Sequence, residues 1–272
     1  MQILLFGDVV GRPGRDALRA RLPVLRRDLK VDVAIVNAEN SAHGFGLTEK
    51  ICGELYEAGA DILTTGNHVW DQREIIPYLD RDPRVLRPAN FPPGTVGSGV
   101  YRHKLADGRV ALVINLMGRL FMDALDDPFR ALDAAIAPHA LGRDVAAIVV
   151  DFHAEATSEK TALGHFADGR VSAVIGTHTH IPTADAQILP GGTGYLSDLG
   201  MCGNYDSVIG MEKEASIRRF VTRMPGPKKP QVAEGEATLC GVFVVTDDAT
   251  GFATRIEPVR LGGRLAQHVP LP

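Results

Sequence analysis

Short apolar runs recur along the chain, and each ends in a polar cluster. Gln2 to Phe6, Val31 to Val36 and Asp61 to Thr65 read as strands, each followed by a helical pattern: Arg15 to Lys30, then segments starting near Thr48 and near Asp71. Asp71 and Glu74 stand at capping-box spacing. Strands alternating with helices predict a largely parallel sheet. From Gly99 the rhythm changes. Val100 to Leu105 and Val110 to Leu116 flank Ala106-Asp107-Gly108-Arg109, a turn suited to an antiparallel hairpin. The strand and helix alternation then returns with a helix over Phe129 to Leu141, a strand over Val145 to Val150, a helix over roughly Thr157 to Asp168, and a buried strand over Val171 to Ile175. The C-terminal third turns to strands: Ala184 to Leu189, Gly194 to Ser197, Leu239 to Thr246 and Phe252 to Val259. Met224 to Pro230 is loop-like, but too little chain follows it to form a domain. The expectation is one α/β domain over residues 1–272 with two sheets.

Composition narrows the class. The 272 residues are 45% hydrophobic and 23% charged, as a globular protein requires, and the net charge of -4 offers no general attraction for nucleic acid or an anionic membrane. Long nucleic acid is therefore not an expected partner. The three cysteines, Cys52, Cys202 and Cys240, are widely spaced and form neither a disulfide framework nor a Cys-x-x-Cys site. The N-terminus meets Asp8 too early for a signal peptide, and no apolar run reaches the ~20 residues that span a bilayer. A cytoplasmic protein is expected.

The chemistry lies at the strand ends. In Gly176-Thr177-His178-Thr179-His180, two imidazoles stand two residues apart just after a strand; on an extended backbone both would project the same way and reach one point. The pair alone cannot close a metal's coordination shell. Further candidates follow the other strands: Gly7-Asp8, Asn37-Ala38-Glu39-Asn40, Gly66-Asn67-His68 and Asp151-Phe152-His153. The carboxyl end of strands is where open α/β sheets place their ligand sites. Oxygen and imidazole donors gathered there suit one or two hard-to-borderline divalent metals.

In order and spacing, Gly7-Asp8, Gly66-Asn67-His68, His153 and the His178/His180 pair resemble the blocks of the calcineurin-like metallophosphoesterase superfamily, across about two-thirds of the chain. Val10 stands where the superfamily carries a metal-binding His, and Glu39-Asn40 where it carries a bridging Asp. The bacterial YmdB-like branch is similar in both respects. The resemblance implies an α/β sandwich of two facing mixed sheets flanked by helices. It further implies two transition metals, iron or manganese, one held by Asp8, Glu39, Asn40 and His180, the other by Glu39, Asn67, His153 and His178. Glu39 would bridge them. Such centres share a bridging hydroxide between ions roughly 3.5–4 Å apart and promote in-line attack on a phosphodiester. Asn67 and His68 would face the phosphate, with His68 protonating the leaving oxygen. The implied substrates are small phosphodiesters, with 2',3'-cyclic nucleotides foremost, and self-association into a homo-oligomer is compatible with the sequence.

Other residues carry plainer expectations. His43, His103, His139, His165 and His268 are read as surface or packing residues. Asp71, Asp185 and Glu155 could orient ligand imidazoles, although helix capping is preferred for Asp71. Asp198 is either a turn residue or a wall of the site. Arg119 is read as solvated rather than phosphate-binding. Gly44-Phe45-Gly46 lacks the ending of a P-loop and is assigned only backbone flexibility. No Gly-x-Ser-x-Gly elbow is present. The alternatives are a metal-dependent amidohydrolase, which usually opens on a His-x-His pair in an early barrel strand, and a non-catalytic nucleotide sensor using the same pocket.

Overall fold

A computed structural model describes residues 1–224 and 230–271. Most of the loop expected at 224–230 lies outside the described residues. In chain order the strands are β1 (Gln2–Phe6), β2 (Asp8–Val9), β3 (Val33–Asn37), β4 (Ile62–Thr64), β5 (Val85–Leu86), β6 (Val100–Lys104) and β7 (Val110–Met117). They continue with β8 (Ala147–His153), β9 (Ala173–Thr177), β10 (Gln187–Ile188), β11 (Gly194–Leu196), β12 (Met201–Cys202), β13 (Leu239–Thr246) and β14 (Ala253–Leu261). The helices are α1 (Gly11–Asp28), α2 (Glu49–Glu57), α3 (Ile75–Arg81), α4 (Pro128–Ile136), α5 (Thr157–Ala167) and α6 (Lys213–Thr222).

Two six-stranded mixed sheets form the body, in the orders β14-β13-β1-β3-β4-β5 and β10-β11-β9-β8-β7-β6. Side chains alternate across each strand, and both faces are covered. Ile3 and Leu5 of β1 join Ala111 and Val113 of β7 in the layer between the sheets. Leu4 and Phe6 point outward onto Leu18 and Leu22 of α1 and Leu55 of α2. Likewise Leu112 and Ile114 meet Leu132 of α4 and Leu163 of α5. Double coverage is why these strands are continuous apolar runs rather than alternating ones. The sheets are open and face one another, so the barrel that the amidohydrolase alternative requires does not occur among the described residues.

Several boundaries differ from expectation for local reasons. α1 starts four residues earlier than Arg15, because Pro13 falls in the first turn, where a missing N–H leaves no intrahelical bond unmade. α4 stops at Ile136 rather than Leu141: Ala137 keeps helical dihedrals, but Pro138 after it has no N–H to continue the ladder. Its start is fixed by Asp127, whose carboxylate accepts the amides of Phe129 at 2.8 Å and Arg130 at 3.3 Å. The strand expected over Ala184 to Leu189 shrinks to Gln187–Ile188, the two residues that pair with Tyr195 and Gly194 of β11. α6 has no counterpart in the sequence reading. Its apolar residues Ile217, Phe220 and Val221 stand at helical spacing but are exposed, so the helix packs no face on the core.

Candidate metal centre

The parallel strands β1, β3 and β4 of one sheet and β8 and β9 of the other end at a common edge, where the polar clusters meet. His153 is the last residue of β8, and Asp8, Glu39, Asn67, His178 and His180 lie within three residues of the ends of β1, β3, β4 and β9. Close approach dictates the glycines. A Cβ on Gly66 would strike the His153 ring and, at 2.5 Å, a Glu39 carboxylate oxygen; one on Gly176 would overlap the Ser197 carbonyl.

Four donor atoms crowd one point. His153 Nε2 lies 3.0 Å from Glu39 Oε1, from Asn67 Oδ1 and from His178 Nδ1. The tautomers make this arrangement informative. Asp151 Oδ1 accepts the Thr177 hydroxyl at 2.7 Å, and Thr177 Oγ1 lies 3.0 Å from His153 Nδ1, so Nδ1–H donates there and Nε2 presents a lone pair. Glu155 Oε2, 3.2 Å from His178 Nε2, draws that ring's proton outward and leaves Nδ1 to face the site. The carbonyl of Ile209 anchors His180 from the other nitrogen, accepting from Nδ1 at 2.8 Å. Lone pairs facing each other at 3.0 Å repel unless a cation lies among them. Each imidazole is anchored on one nitrogen and open on the other, the arrangement that metal-ligating histidines adopt.

The second half of the site centres on Asp8. His180 Nε2 comes within 3.9 Å of Asp8 Oδ1, and His153 Nδ1 within 3.8 Å. Asp8 Oδ1 and Asn40 Oδ1 are both buried without a hydrogen-bond partner among the described residues. Asn40 gives its amide to the Gly44 carbonyl at 3.0 Å, which frees its oxygen. Orphaned acceptors of this kind need an explanation, and a divalent cation supplies it. The residues present therefore fit a metal.

The charges agree. Burial pushes the Asp8 carboxyl upward, His180 and His153 opposing it. Burial also acts against the Glu39 carboxylate, but His153 beside it outweighs burial and holds Glu39 at about 2. His153 is raised to about 9, because Glu39 and Asp8 overcome its burial. His178 falls to about 3 through burial and the neighbouring His153, so its lone pair is free at neutral pH. A proton on His153 thus stands where a metal ion's charge would act.

The backbone at the histidine pair corrects one expectation. His178 (φ 103°) and His180 (φ 66°) are left-handed rather than extended. Their rings diverge, His178 toward His153 and His180 toward Asp8. The loop is held open by bonds on every side. Thr179 N donates to Asp198 Oδ2 at 3.0 Å, His178 N to Asp8 Oδ2 at 3.1 Å, and the Tyr205 hydroxyl to the His180 carbonyl at 3.0 Å.

Asp198 is neither a plain turn residue nor a wall. Its Oδ2 also takes Lys160 Nζ at 2.6 Å in a pair whose side chains are 3% and 2% exposed. Removing one partner of a buried pair leaves an uncompensated charge, so Lys160→Met is expected to lower unfolding stability by about 3–5 kcal/mol. Urea unfolding of metal-free protein measures this; a curve superimposable on the parent's would refute it.

Asp71 is the other correction. α3 begins at Ile75 with Glu74 at its N-cap, so Asp71 caps nothing. Its Oδ2 lies 2.7 Å from His68 Nδ1, while the His68 amide donates to Glu39 Oε2 at 3.1 Å. Asp71 therefore orients His68 through Nδ1. Glu155 matches its expected role. Asp185 does not, since it accepts the Ser197 amide at 3.3 Å and contacts no imidazole among the described residues. Arg119 pairs with Asp127 at 3.3 Å on the surface, the three cysteines are buried and free, and Gly44 and Gly46 have φ of 93° and 81°. Thr177 and Asp151, inside the polar clusters, hold the His153 ring, while Lys160, Tyr205 and the Ile209 carbonyl support the site from positions the sequence does not mark. A lysine in a helix or a backbone carbonyl carries no residue-type signal.

Fold and site together define a metallophosphoesterase-type α/β sandwich. The family model described as YmdB-like protein matches residues 4–259, and the chain belongs to that family within the calcineurin-like metallophosphoesterase superfamily. It is 51% identical over 259 residues to a Bacillus subtilis protein named 2',3'-cyclic-nucleotide 2'-phosphodiesterase, covering 95% of this chain and 96% of that one. A crystal structure of a hypothetical protein from Thermus thermophilus superposes with a TM-score of 0.89 at 43% identity, covering 97% of this chain and 100% of the other. A structure from Mycoplasma pneumoniae described as a novel phosphatase gives 0.88 at 35% identity, covering 96% and 93%.

Proposed function

We propose that the chain is a binuclear metal-dependent phosphodiesterase that hydrolyses small phosphodiesters, 2',3'-cyclic nucleotides foremost. The observation that carries this reading is the convergence of donor atoms at the sheet edge: Glu39, Asn67 and His178 around His153 Nε2, Asp8 beside His180, and the unpaired buried oxygens of Asp8 and Asn40. Asp8, Glu39, Asn40 and His180 would hold one ion, and Glu39, Asn67, His153 and His178 the other, with Glu39 shared. Imidazole and carboxylate donors together suit iron or manganese. When bound, the ions supply Lewis acidity toward water and neutralise charge on the phosphoryl oxygens. The name of the Bacillus subtilis relative supports the substrate class. Residues 1–272 act as one catalytic unit, because the donors come from both sheets.

The protein's own part is to orient and to move a proton. His68 stands at the rim with Nδ1 tied to Asp71, so Nε2 is the nitrogen placed to protonate a departing alkoxide. Asp71 fixes the ring's tautomer and orientation. Asp71→Asn is expected to retain both metals and to lower turnover of a cyclic nucleotide roughly tenfold, a fraction of what general acid catalysis is typically worth, since Asp71 is partly solvated. Turnover equal to the parent's would remove Asp71 from the mechanism.

The test of the function is metal-dependent turnover over a panel of cyclic nucleotides, linear diesters and monoesters, with elemental analysis of the same preparation. Two ions per chain and a preference for diesters are expected. A single ion held by His178 and His180 alone, or no turnover of any diester by metal-replete protein, would overturn the reading.

A further inference from the structure

We propose that the cavity beside His68 is a nucleobase subsite, with Phe45 as its stacking wall. This deepens the phosphodiesterase reading and rests on it.

A cavity of about 550 Å³ opens between the Ala42–Phe45 turn, the Asp71–Gln72 segment and residues 230–234. That volume lies within the range of small-molecule sites. Its place relative to the metal centre is fixed by the 40–46 turn, which has two working ends. At one end Asn40, three residues past the end of β3, holds its side-chain oxygen buried and unpaired. At the other Phe45, half-buried, lines the cavity, and its ring meets His68 edge-on with centroids 5.1 Å apart. The turn is rigid: Gly44 N donates to the Asn40 carbonyl at 3.1 Å, Phe45 N to the Ala42 carbonyl at 3.1 Å and Ala42 N to the Gly46 carbonyl at 2.9 Å. Gln72 fastens it from across the cavity, its Nε2 donating to the Phe45 carbonyl at 2.9 Å. Asp71, the partner of His68, lines the same cavity. His68 joins the two spaces, since its ring borders Phe45 and its amide donates to Glu39 Oε2.

A phosphodiester lying on the metal centre with its leaving oxygen toward His68 must send the rest of the substrate past that ring. The space there has an aromatic wall and polar sides formed by His43, Gln72 and Arg12. A planar heteroaromatic ring with hydrogen-bonding edges fits such a lining. A purely aliphatic group would gain no stacking on the aromatic wall.

The experiment compares 2',3'-cyclic AMP with glycerol 1,2-cyclic phosphate, which keeps the five-membered cyclic diester and lacks the base, in one manganese-loaded preparation. The parent should favour the nucleotide in kcat/KM, mainly through KM. Phe45→Ala should reduce that preference between about fivefold and a hundredfold, as expected for loss of one base–aromatic stack, and Phe45→Leu should reduce it similarly while filling the same space. Adenosine alone should bind the parent in a calorimetric titration and bind both variants more weakly. If Phe45 instead supports His68 or the fold, both substrates lose equally and the preference is unchanged, which overturns the proposal. A parent that turns over both diesters equally well also overturns it, while leaving the phosphodiesterase reading intact. Should the parent turn over neither, that reading fails, and the adenosine titration alone decides the subsite: weaker binding in both variants upholds it, and equal or absent binding sinks it.

Discussion

Glu39→Ala is expected to abolish turnover, and its protein should bind less than one equivalent of manganese at concentrations that saturate the parent. The carboxylate is buried at 1% exposure; its Oε1 lies 3.0 Å from His153 Nε2 and its Oε2 accepts the His68 amide at 3.1 Å. Deleting it removes the charge that would face both ions and the anchor of the loop that carries His68. Outer partners of metal ligands typically contribute about 10–100-fold in affinity, and a shared ligand should exceed that range. Asn40→Ala is the matched comparison. The amide oxygen is neutral and would reach one ion only, so this variant should recover part of its turnover when manganese is raised. Manganese titration followed by elemental analysis, with circular dichroism as the check on folding, distinguishes the two. Equal losses in the two variants with metal content unchanged would mean that the roles are misassigned.

The donors that this comparison probes were legible in the sequence because they end apolar runs. A strand covered on both faces leaves no solvent-facing positions along its length, so its polar chemistry must gather where the strand stops. Asp8, Asn67, His153 and His178 all obey this constraint. What supports the donors was less legible. His153 is aimed through Thr177 onto Asp151, and His180 onto the backbone carbonyl of Ile209; these partners stand 24 to 29 positions apart and are joined only by the fold. The left-handed turns at His178 and His180 were hidden for a similar reason. An isolated chain would avoid them, and only bonds from Asp8, Asp198, Met201 and Tyr205 make them tolerable. Asp71 illustrates a competition between two local readings. Its spacing to Glu74 suits a helix cap, yet the helix begins at Ile75 and the carboxylate turns back to His68.

His68→Ala should separate proton transfer from metal binding. His68 lies outside the group formed by Glu39, His153 and His178, and its ring is spoken for on one side by Asp71 and bordered by Phe45. Its removal therefore leaves the donor atoms assigned to the two proposed ions in place, and the variant should retain as much metal as the parent. General acid catalysis is typically worth about 10²–10⁴-fold, and the gain is largest when the departing group is a basic alkoxide. A ribose oxygen is such a group, whereas nitrophenolate departs without a proton. Turnover of 2',3'-cyclic AMP should accordingly fall by about 10²-fold or more, and that of bis-nitrophenyl phosphate by much less. The quantity to measure is the ratio of parent to variant rates on each substrate in one metal-loaded preparation. If His68 were a metal ligand, the variant would lose metal and both rates together. If it only braced the Asn67 loop, the two ratios would be equal at full metal occupancy, and the general-acid role would be refuted.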